Sequence, residues 1–445
     1  MAEREQPGSL VSDPIQGSAV FPVGSRVNER GHLEVGGCDV VDLAERFGTP
    51  AYIYAEDDMR ARARAYVEAF AARTDDFEVV YASKALPITA AYRLMAEEGL
   101  SVDVASGGEL FLALKAGVSA ERIFMHGNNK TARELEQAFE AGIGYLVLDS
   151  LREIELAEEL LGRAGQTHPQ RQRVMIRVTP GIMPSTHSYI QTGQIDSKFG
   201  FGLEDGLAAE AVRRAQASDR LDLVGIHAHI GSQIFELEPY AKTIRMLAEF
   251  VRATGIECRM LNVGGGLGIA YTAEDEPASI EDYVDVKVRG IQQTFDPVPR
   301  ILVEPGRSLV GNAGLTAYRV GTVKEIPGVR TYVSVDGGMS DNLRPMLYGA
   351  RYDAAIANRP DAPANHVATI AGMHCESGDI LIRDVALPDP HAGDVLVTPA
   401  TGGYGYAMAN NYNGVPRPPV IFCKDGTARA VVRRETYEDL AARDA

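Results

Sequence analysis

The sequence has few cysteines, no paired cysteine motif and no long apolar run. Its four cysteines, Cys38, Cys258, Cys375 and Cys423, lie far apart and form no Cys-x-x-Cys pair. This distribution argues against a structural zinc site or a disulfide framework and is typical of reduced thiols in a cytosolic protein. No segment reaches the ~18 apolar residues of a membrane span, and residues 1–17 are polar and lack the apolar core of a signal peptide. We therefore expect a cytoplasmic protein, with no membrane contact and a flexible tail over those first residues.

Positive charge is also scarce. The chain has 44 Lys and Arg residues against 61 Asp and Glu residues, which gives a formal net charge of −17. A basic footprint is the usual signature of a protein that binds nucleic acid or an anionic membrane, so neither partner is expected. The length of 445 residues allows two or more domains.

Short β-rich runs alternate with helix-like stretches along the middle of the chain. The eight runs are Phe77–Ala82, Ser101–Val104, Arg122–Met125, Tyr145–Leu148, Val174–Val178, Leu223–Ala228, Met260–Val263 and Ile301–Val303. Eight β/α alternations predict a closed parallel (β/α)8 barrel, although an open doubly wound sheet could show a similar pattern.

The predicted secondary structure changes after about residue 308, where strands follow one another without long helices. The predicted strands are Thr331–Val335, His366–Ala371, Asp379–Arg383, Asp394–Val397, Val420–Cys423 and Ala428–Arg433. The last two are joined by Lys424-Asp425-Gly426-Thr427, a hairpin signal. We expect a barrel over residues 48–307 and an antiparallel β domain over residues 308–445. Residues 18–47 are expected to pack with the β domain, to which His32–Val35 would add a strand.

Polar residues stand at the ends of several predicted strands, which a barrel brings together around its carboxyl-terminal rim. Lys84 follows the first strand, His229 the sixth and Glu304 the eighth. A partly buried lysine can form a Schiff base with a carbonyl cofactor, although a strand-end lysine is more often a solvated surface residue. Glu304 could pair with a protonated pyridine nitrogen or form a structural salt bridge. His229 could stack on a flat ring or be a hydrogen-bonded core residue.

A glycine triplet, Gly264-Gly265-Gly266, lies between the seventh strand and a helix-like segment. Its backbone N–H groups could approach a phosphate closely, and barrels often bind phosphate at the loops after strands seven and eight. The alternative is a tight turn. The segment does not match Gly-x-Gly-x-x-Gly, so a dinucleotide is not indicated. Ser232 and the backbone of Gly306 and Arg307 are further candidate phosphate donors.

The second domain carries two further clusters of candidate site residues. Arg344 and Tyr348 could hold a carboxylate, since arginine binds that group bidentately. Cys375 stands beside Glu376 and could donate a proton or be an inert buried thiol. Tyr404 belongs to a run of glycines and tyrosines that suits a close-packed site or an interface.

Together these motifs resemble the fold-type III pyridoxal-phosphate-dependent decarboxylases, the class II group that acts on ornithine, lysine and arginine, over about residues 30–440. The motifs are Tyr81–Lys84, Asp103–Glu109, Ser197–Gly200, His229–Ser232, Gly264–Gly266, Glu304–Arg307, Cys375–Asp379 and the run at Tyr404. The resemblance implies a PLP-binding (β/α)8 barrel of the alanine-racemase type with a C-terminal β domain. Small departures from the family pattern occur at Gly181–Ser188 and at Gly403.

The resemblance also implies an activity, namely decarboxylation of meso-2,6-diaminopimelate to L-lysine and CO2, the last step of lysine biosynthesis, with pyridoxal phosphate (PLP) as cofactor and no metal. For the cofactor, the resemblance implies a Schiff base at Lys84, ring stacking by His229 and a partner for the pyridine nitrogen in Glu304. It implies phosphate contacts from Ser232, Gly265, Gly266, Gly306, Arg307 and Tyr404. For the substrate, it implies that Arg307, Arg344 and Tyr348 bind the distal carboxylate with Tyr404 nearby, that Glu376 binds the distal ammonium group, and that Cys375 donates the proton. In this family the Cys375–Glu376 segment comes from a partner subunit, which implies a homodimer.

Three alternatives remain open at this point. The first is a decarboxylase of the same fold that acts on ornithine, arginine or a carboxylated polyamine. Arg307, Arg344 and Glu376 argue against simple diamines, because they suit a distal end that is itself an α-amino acid. The second is a PLP-dependent racemase, against which the Cys-Glu-Ser motif argues. The third is a non-catalytic PLP-binding protein, against which the second domain argues.

Overall fold

A computed structural model describes residues 15–164, 171–182 and 197–445. Residues 1–14 of the expected tail, and residues 183–188 of the segment that departs from the family pattern, lie outside the described residues. The strands are β1 Arg26–Val27, β2 Leu33–Val35, β3 Cys38–Asp39, β4 Ala51–Ala55, β5 Phe77–Ala82, β6 Ser101–Val104, β7 Ile123–Met125, β8 Tyr145–Leu148, β9 Gln172–Thr179, β10 Phe201–Gly202, β11 Leu221–His227, β12 Met260–Asn262, β13 Arg300–Val303, β14 Gly314–Ile326, β15 Arg330–Val335, β16 Ala355–Ile356, β17 His366–Ala371, β18 Ile380–Leu387, β19 Val395–Pro399, β20 Val420–Lys424 and β21 Thr427–Val432. The helices are α1 Val40–Phe47, α2 Glu56–Ala71, α3 Thr89–Glu97, α4 Gly107–Lys115, α5 Ala132–Ala141, α6 Leu151–Ala164, α7 Leu207–Ala217, α8 Glu238–Thr254, α9 Ile280–Thr294, α10 Arg307–Val310, α11 Arg344–Tyr348, α12 Gly405–Met408 and α13 Tyr437–Ala441.

The predicted barrel is confirmed. Eight parallel strands follow the order β5-β6-β7-β8-β9-β11-β12-β13, and β13 pairs with β5 to close the ring. Each of these strands lies at one of the eight predicted runs, and β5, β6 and β8 have the predicted bounds. The two-residue strand β10 is an additional partner of β9.

The interior of the barrel is apolar in its middle and polar at its carboxyl end. The apolar residues are Val80, Phe124, Tyr145, Val147, Met175, Val224, Met260 and Leu302. Side chains alternate along a strand, so a residue two positions further on faces the same interior. By this rule Phe124 is followed by His126, Met175 by Arg177 and Leu302 by Glu304, and all three polar residues are buried.

Helix α9 begins at an N-cap residue and packs one face against neighbouring helices. Its N-cap is Ser279, whose side chain accepts from the Asp282 backbone N–H at 3.0 Å. The helix packs against α8 and α2, and its buried face includes Tyr283, Lys287 and Ile291 at helical spacing. A lysine in this otherwise apolar face is unusual.

The second sheet has the strand order β18-β17-β15-β14-β4-β20-β21, with β19 also paired to β14. Most of its pairings are antiparallel, as expected, but β15–β17 and β20–β4 are parallel. Strand β4 falls within the expected barrel segment, although its hydrogen-bonded neighbours are β14 and β20. The predicted hairpin between β20 and β21 is confirmed, with Asp425 at φ 49° and Gly426 at φ 74°, the backbone that a two-residue type I′ turn requires.

The expectation that His32–Val35 adds a strand to the β domain is wrong. Strand β2 pairs with β1 and β3 in a separate three-stranded sheet, because Gly36 and Gly37, at φ 57° and 78°, turn the chain back tightly. Two backbone hydrogen bonds link this sheet to the second domain: Leu33 N–H donates to the Ala357 carbonyl at 2.8 Å, and Gly426 N–H donates to the Gly36 carbonyl at 3.0 Å. Within the described ranges, no helix has the length and apolar character needed to cross a membrane.

Candidate active site

A cavity opens at the carboxyl end of the barrel. Its walls include many of the predicted site residues, namely Lys84, His229, Ser232, Gly266, Glu304, Gly306, Arg307 and Tyr404. They come from the ends of β5, β11, β12 and β13 and from the second domain. The barrel brings Lys84 and Arg307 together although they are more than 200 positions apart, and the second domain adds Tyr404.

Lys84 lies in a short 3₁₀ turn, Ser83–Ala85, directly after β5. Its side chain is exposed at the cavity, whereas its neighbours Ser83 and Ala85 are buried. The Ser83 backbone N–H donates to Asp103 Oδ1 at 3.1 Å, and the Tyr404 N–H donates to the Ala85 carbonyl at 2.8 Å. These contacts from β6 and from the second domain fix the turn that presents the Lys84 amine.

Glu304 is buried among nitrogen groups from three other strand ends. His227 Nε2 lies 3.0 Å from Oε2, Asn262 Nδ2 donates to Oε1 at 2.7 Å, and His126 Nε2 lies 2.9 Å from Oε1. Burial opposes ionisation, but the two histidines outweigh it and hold the pKa of Glu304 well below its ordinary value. Burial also lowers the pKa of His227 to about 4, so this ring is neutral near pH 7. Glu304 is therefore a carboxylate that donors from three other strand ends hold in place.

His229 forms part of the cavity wall and is neutral. Burial lowers its pKa well below the ordinary value, and the nearby Lys84 charge acts in the same direction. The Gly265 backbone N–H donates to His229 Nδ1 at 3.3 Å, which makes Nδ1 the acceptor of the ring. A neutral flat ring suits the predicted stacking role.

The glycine triplet forms a cradle of backbone with no room for side chains. A Cβ on Gly265 would lie 2.1 Å from the Glu304 carbonyl oxygen, and one on Gly266 would lie 2.5 Å from the Gly231 carbonyl oxygen. Gly264 and Gly266 have φ of 60° and 108°, which favours glycine. A Cβ on Gly306 would lie 2.9 Å from the Ala82 Cβ and from the Ala82 carbonyl oxygen. Bare backbone at the carboxyl rim of a barrel fits a phosphate group, as predicted for the PLP phosphate.

Two arginines converge on one tyrosine beside the cavity. Arg307 and Arg344 are each 5% exposed, and neither has a carboxylate partner within the described part of the chain. Their guanidinium carbons lie 5.6 Å and 4.5 Å from the ring centre of Tyr271.

The two guanidinium groups are held by hydroxyl groups instead of acids. Arg307 donates to the Tyr271 hydroxyl and, at 2.9 Å, to Ser232 Oγ, while Arg344 donates to the Tyr352 hydroxyl. Ser232, a predicted phosphate donor, is thus also an acceptor for Arg307. Tyr348, predicted to act with Arg344, is half-buried with its ring centre 6.0 Å from the Arg344 guanidinium carbon.

Cys375 and Glu376 are not brought to the cavity within this single chain. Both are exposed, and neither lines the cavity. The Cys375 backbone N–H donates to Asn413 Oδ1 at 3.0 Å, and His374 Nδ1 lies 2.7 Å from buried Asp379. The segment that presents the thiol is thus anchored from both sides while the thiol faces outward.

Sequence reasoning did not assign roles to His126, His227, Asn262, Tyr271 or Tyr352. A usable signal existed for two of them, because His126 and Asn262 stand two positions after the barrel-core residues Phe124 and Met260. No comparable pattern marks Tyr271 or Tyr352, which lie outside the barrel strands.

A closed barrel with a strand-end lysine, a backbone phosphate cradle and a buried carboxylate defines a PLP-dependent barrel enzyme. Residues 56–311 match the family model described as "Pyridoxal-dependent decarboxylase, pyridoxal binding domain". The chain belongs to the family of pyridoxal-dependent decarboxylases, and its cofactor is PLP.

Similar proteins extend the likeness to the whole chain. The diaminopimelate decarboxylases of Halalkalibacterium halodurans and Bacillus subtilis are each 48% identical to it, and each alignment covers 94% of this chain and 97% of the relative. Among solved structures, a diaminopimelate decarboxylase from M. jannaschii in co-complex with L-lysine has a TM-score of 0.88 at 36% identity, covering 95% of this chain and 97% of that one. The likeness therefore includes the second domain, which the family model does not reach.

Proposed function

We propose that this chain decarboxylates meso-2,6-diaminopimelate at its D-configured carbon, giving L-lysine and CO2. The observation that carries the proposal is the pair Arg307 and Arg344, both buried and both without a carboxylate partner among the described residues. Burying an unpaired charge is costly, so a site that keeps two such groups is suited to an anionic ligand. The relatives named diaminopimelate decarboxylase point to the same substrate.

The two arginines would select the distal end of the substrate. Diaminopimelate has a second carboxylate there, whereas ornithine and lysine have none. Without that group the two buried guanidinium groups would stay unpaired, and a site built for a polar group discriminates strongly against ligands that lack it. We therefore infer that Arg307 and Arg344 bind the distal carboxylate, with Tyr348 at its edge.

The remaining residues would bind the cofactor and control its protonation. Bound PLP supplies an electron sink for the electron pair left when CO2 departs. Lys84 would hold the cofactor covalently through Nζ, and Gly265, Gly266 and Gly306 would bind its phosphate. Glu304, kept as a carboxylate, would keep a proton on the pyridine nitrogen, and His229 would cover one face of the ring. The rim of the barrel would thus provide both attachment and charge control.

We further propose a homodimer in which each cavity is completed by a partner subunit. Cys375 and Glu376 are exposed and do not line the cavity of their own chain. Placed at a partner's cavity, the Cys375 thiol would protonate the reacting carbon, and Glu376 would hold the distal ammonium group. Exposure of the apolar side chains of Met346, Leu347 and Met373 near these elements is consistent with a covered surface.

A subunit-mixing experiment tests the shared site. Lys84→Ala and Cys375→Ala chains are each expected to be inactive, but a heterodimer would contain one cavity with both groups intact. Random mixing would restore about a quarter of the wild-type sites, since half of the dimers would be mixed. Sedimentation velocity of the same samples would establish the dimer, and absence of any restored activity would contradict the shared site.

The substrate is tested by competition. Purified holoenzyme is given isotope-labelled meso-diaminopimelate with equal amounts of unlabelled ornithine, lysine and arginine, and the products are read by mass spectrometry. Labelled lysine is the expected dominant product. Putrescine, cadaverine or agmatine as the main product would overturn the assignment of the arginines.

A variant pair makes the test specific to the distal carboxylate. Arg344→Met should lower kcat/KM for diaminopimelate about 100-fold, the scale for losing a charge-assisted pair. Arg351→Met is the matched control, because Arg351 is on the same stretch but its side chain is 74% exposed. Equal activity of the two variants would contradict the proposed role of Arg344.

We also propose a cytoplasmic location, because the proposed proton donor must remain a thiol. All four cysteines are free, and thiols persist in reducing compartments. Cell fractionation with activity measured in each fraction tests this.

A further inference from the structure

Lys287 is a fully buried lysine directly behind the glycine triplet. Its exposed fraction is 0%, and it lies on the inner face of α9. Its Nζ donates to the Val263 carbonyl at 2.9 Å, to the Gly264 carbonyl at 3.0 Å and to the Tyr283 hydroxyl at 2.6 Å. Three oxygen atoms therefore surround the Lys287 nitrogen, and two of them are carbonyl oxygens of the glycine turn.

No carboxylate pairs with Lys287 within the described ranges. The nitrogen lies 4.2 Å and 4.7 Å from the ring centres of Tyr283 and Tyr240, so aromatic faces surround it. Burial lowers the pKa of Lys287 well below its ordinary value, and Glu304 is the acid that opposes this effect.

The carbonyls that Lys287 holds determine the direction of the amide groups in the cradle. The carbonyl of Gly264 and the N–H of Gly265 belong to one planar peptide and point in opposite directions. The carbonyl faces Lys287, and it also accepts from the Tyr283 hydroxyl at 3.2 Å and from the Glu304 backbone N–H at 3.1 Å. The Gly265 N–H therefore points away from Lys287 and toward the cavity, where it donates to His229 Nδ1.

We propose that Lys287 is a positioning residue for the cofactor phosphate: it fixes the glycine turn through the Val263 and Gly264 carbonyls. The inference rests on the proposed role of Gly265 and Gly266 in binding phosphate. It predicts that Lys287 contributes to the affinity for the phosphate group and little to the affinity for the rest of the cofactor.

The test compares PLP with pyridoxal, which has the same ring and aldehyde but no phosphate. Dissociation constants are measured by absorbance titration of the cofactor-free protein. Lys287→Met, of similar volume, should weaken PLP binding about tenfold or more while changing pyridoxal binding by less than about twofold. Lys242→Met on neighbouring α8, where the lysine is exposed, is the control and should change neither.

A second variant and a second ligand guard against a folding defect. Lys287→Gln keeps a neutral donor for the carbonyls, so it should recover part of the PLP affinity. Inorganic phosphate should raise the thermal midpoint of the cofactor-free wild type more than that of either variant. Equal weakening of PLP and pyridoxal, or unchanged affinity for both, would overturn the proposal for Lys287. If the wild type itself does not prefer PLP over pyridoxal, the phosphate role of the glycine triplet fails instead.

Discussion

The bond between His227 and Glu304 should control the lowest pH at which the enzyme works. The two groups are 3.0 Å apart and almost fully buried, with exposed fractions of 1% and 7%. Because His227 is neutral, with a pKa of about 4, its N–H is a donor at neutral pH. Replacing His227 with Leu removes that donor. Burial raises the pKa of a carboxyl group, and in the variant fewer contacts would oppose this effect on Glu304.

The size of the effect follows from the charge on the acceptor. A hydrogen bond to a charged group is worth about 1.5–3 kcal/mol, and a pKa unit corresponds to about 1.4 kcal/mol. The pKa of Glu304 should therefore rise by about one to two units in His227→Leu. In its proposed role Glu304 keeps a proton on the pyridine nitrogen only as a carboxylate, so the acid limb of kcat/KM should move upward by the same amount.

The assay is the pH profile of kcat/KM for wild type, His227→Leu and His227→Gln. The Gln variant retains an N–H donor, so its acid limb should lie near that of the wild type. The absorbance of bound cofactor, followed over the same pH range, provides a readout that does not depend on turnover. An equal shift in both variants would refute the reasoning, because it would show that the limb reports loss of the histidine's own titration and not loss of the bond.

Three further results are expected. Lys84→Ala should lose both the absorbance band of covalently held cofactor and turnover, and retention of both would remove Lys84 from its role. Gly265→Ala should cost about 1–3 kcal/mol of stability and most PLP affinity, since its Cβ would lie 2.1 Å from the Glu304 carbonyl oxygen, whereas Gly108→Ala, with its nearest contact at 3.7 Å, should be tolerated in thermal and binding assays. Urea unfolding should show stability falling as the pH drops from about 6.5 toward 4, by about 1.4 kcal/mol per unit from His227, because there the unfolded histidine binds a proton that the folded one does not. A His227→Leu protein with the same slope would contradict that assignment.

The barrel could be predicted from the sequence because each strand is a short β-rich run that ends in glycine or a polar residue. Strands β5, β6 and β8 even have the predicted bounds. Assignment to a sheet was harder. Strand β4 is buried at all five positions and sits just before the first barrel helix, but it pairs with β14 and β20, far away in sequence. A local pattern contains the preference for extended backbone but not the identity of the distant partner.

Some residues of the candidate site could be predicted from the sequence and others could not. Lys84, His229 and Glu304 could be predicted as rim residues because strand ends converge in a barrel. The meeting of Arg307 and Arg344 at Tyr271 could not, because it depends on how the second domain lies against the barrel. The predicted role of Cys375 depends on the proposed dimer, because the residue is exposed and does not line the cavity of its own chain.

Some positions of a strand or helix should be apolar by the periodicity of their neighbours but carry a polar residue. Such positions mark buried polar groups that the sequence could have revealed. His126 and Asn262 continue the inward-facing rows of Phe124 and Met260, and Lys287 occupies an apolar face of α9, four residues after Tyr283. Each such group costs free energy to bury unless a partner compensates for it. For His126 and Asn262 the partner is Glu304, and for Lys287 it is the back of the glycine turn. A break in periodicity on a barrel strand or its covering helix therefore indicates both a buried polar residue and the nearby group that keeps it there.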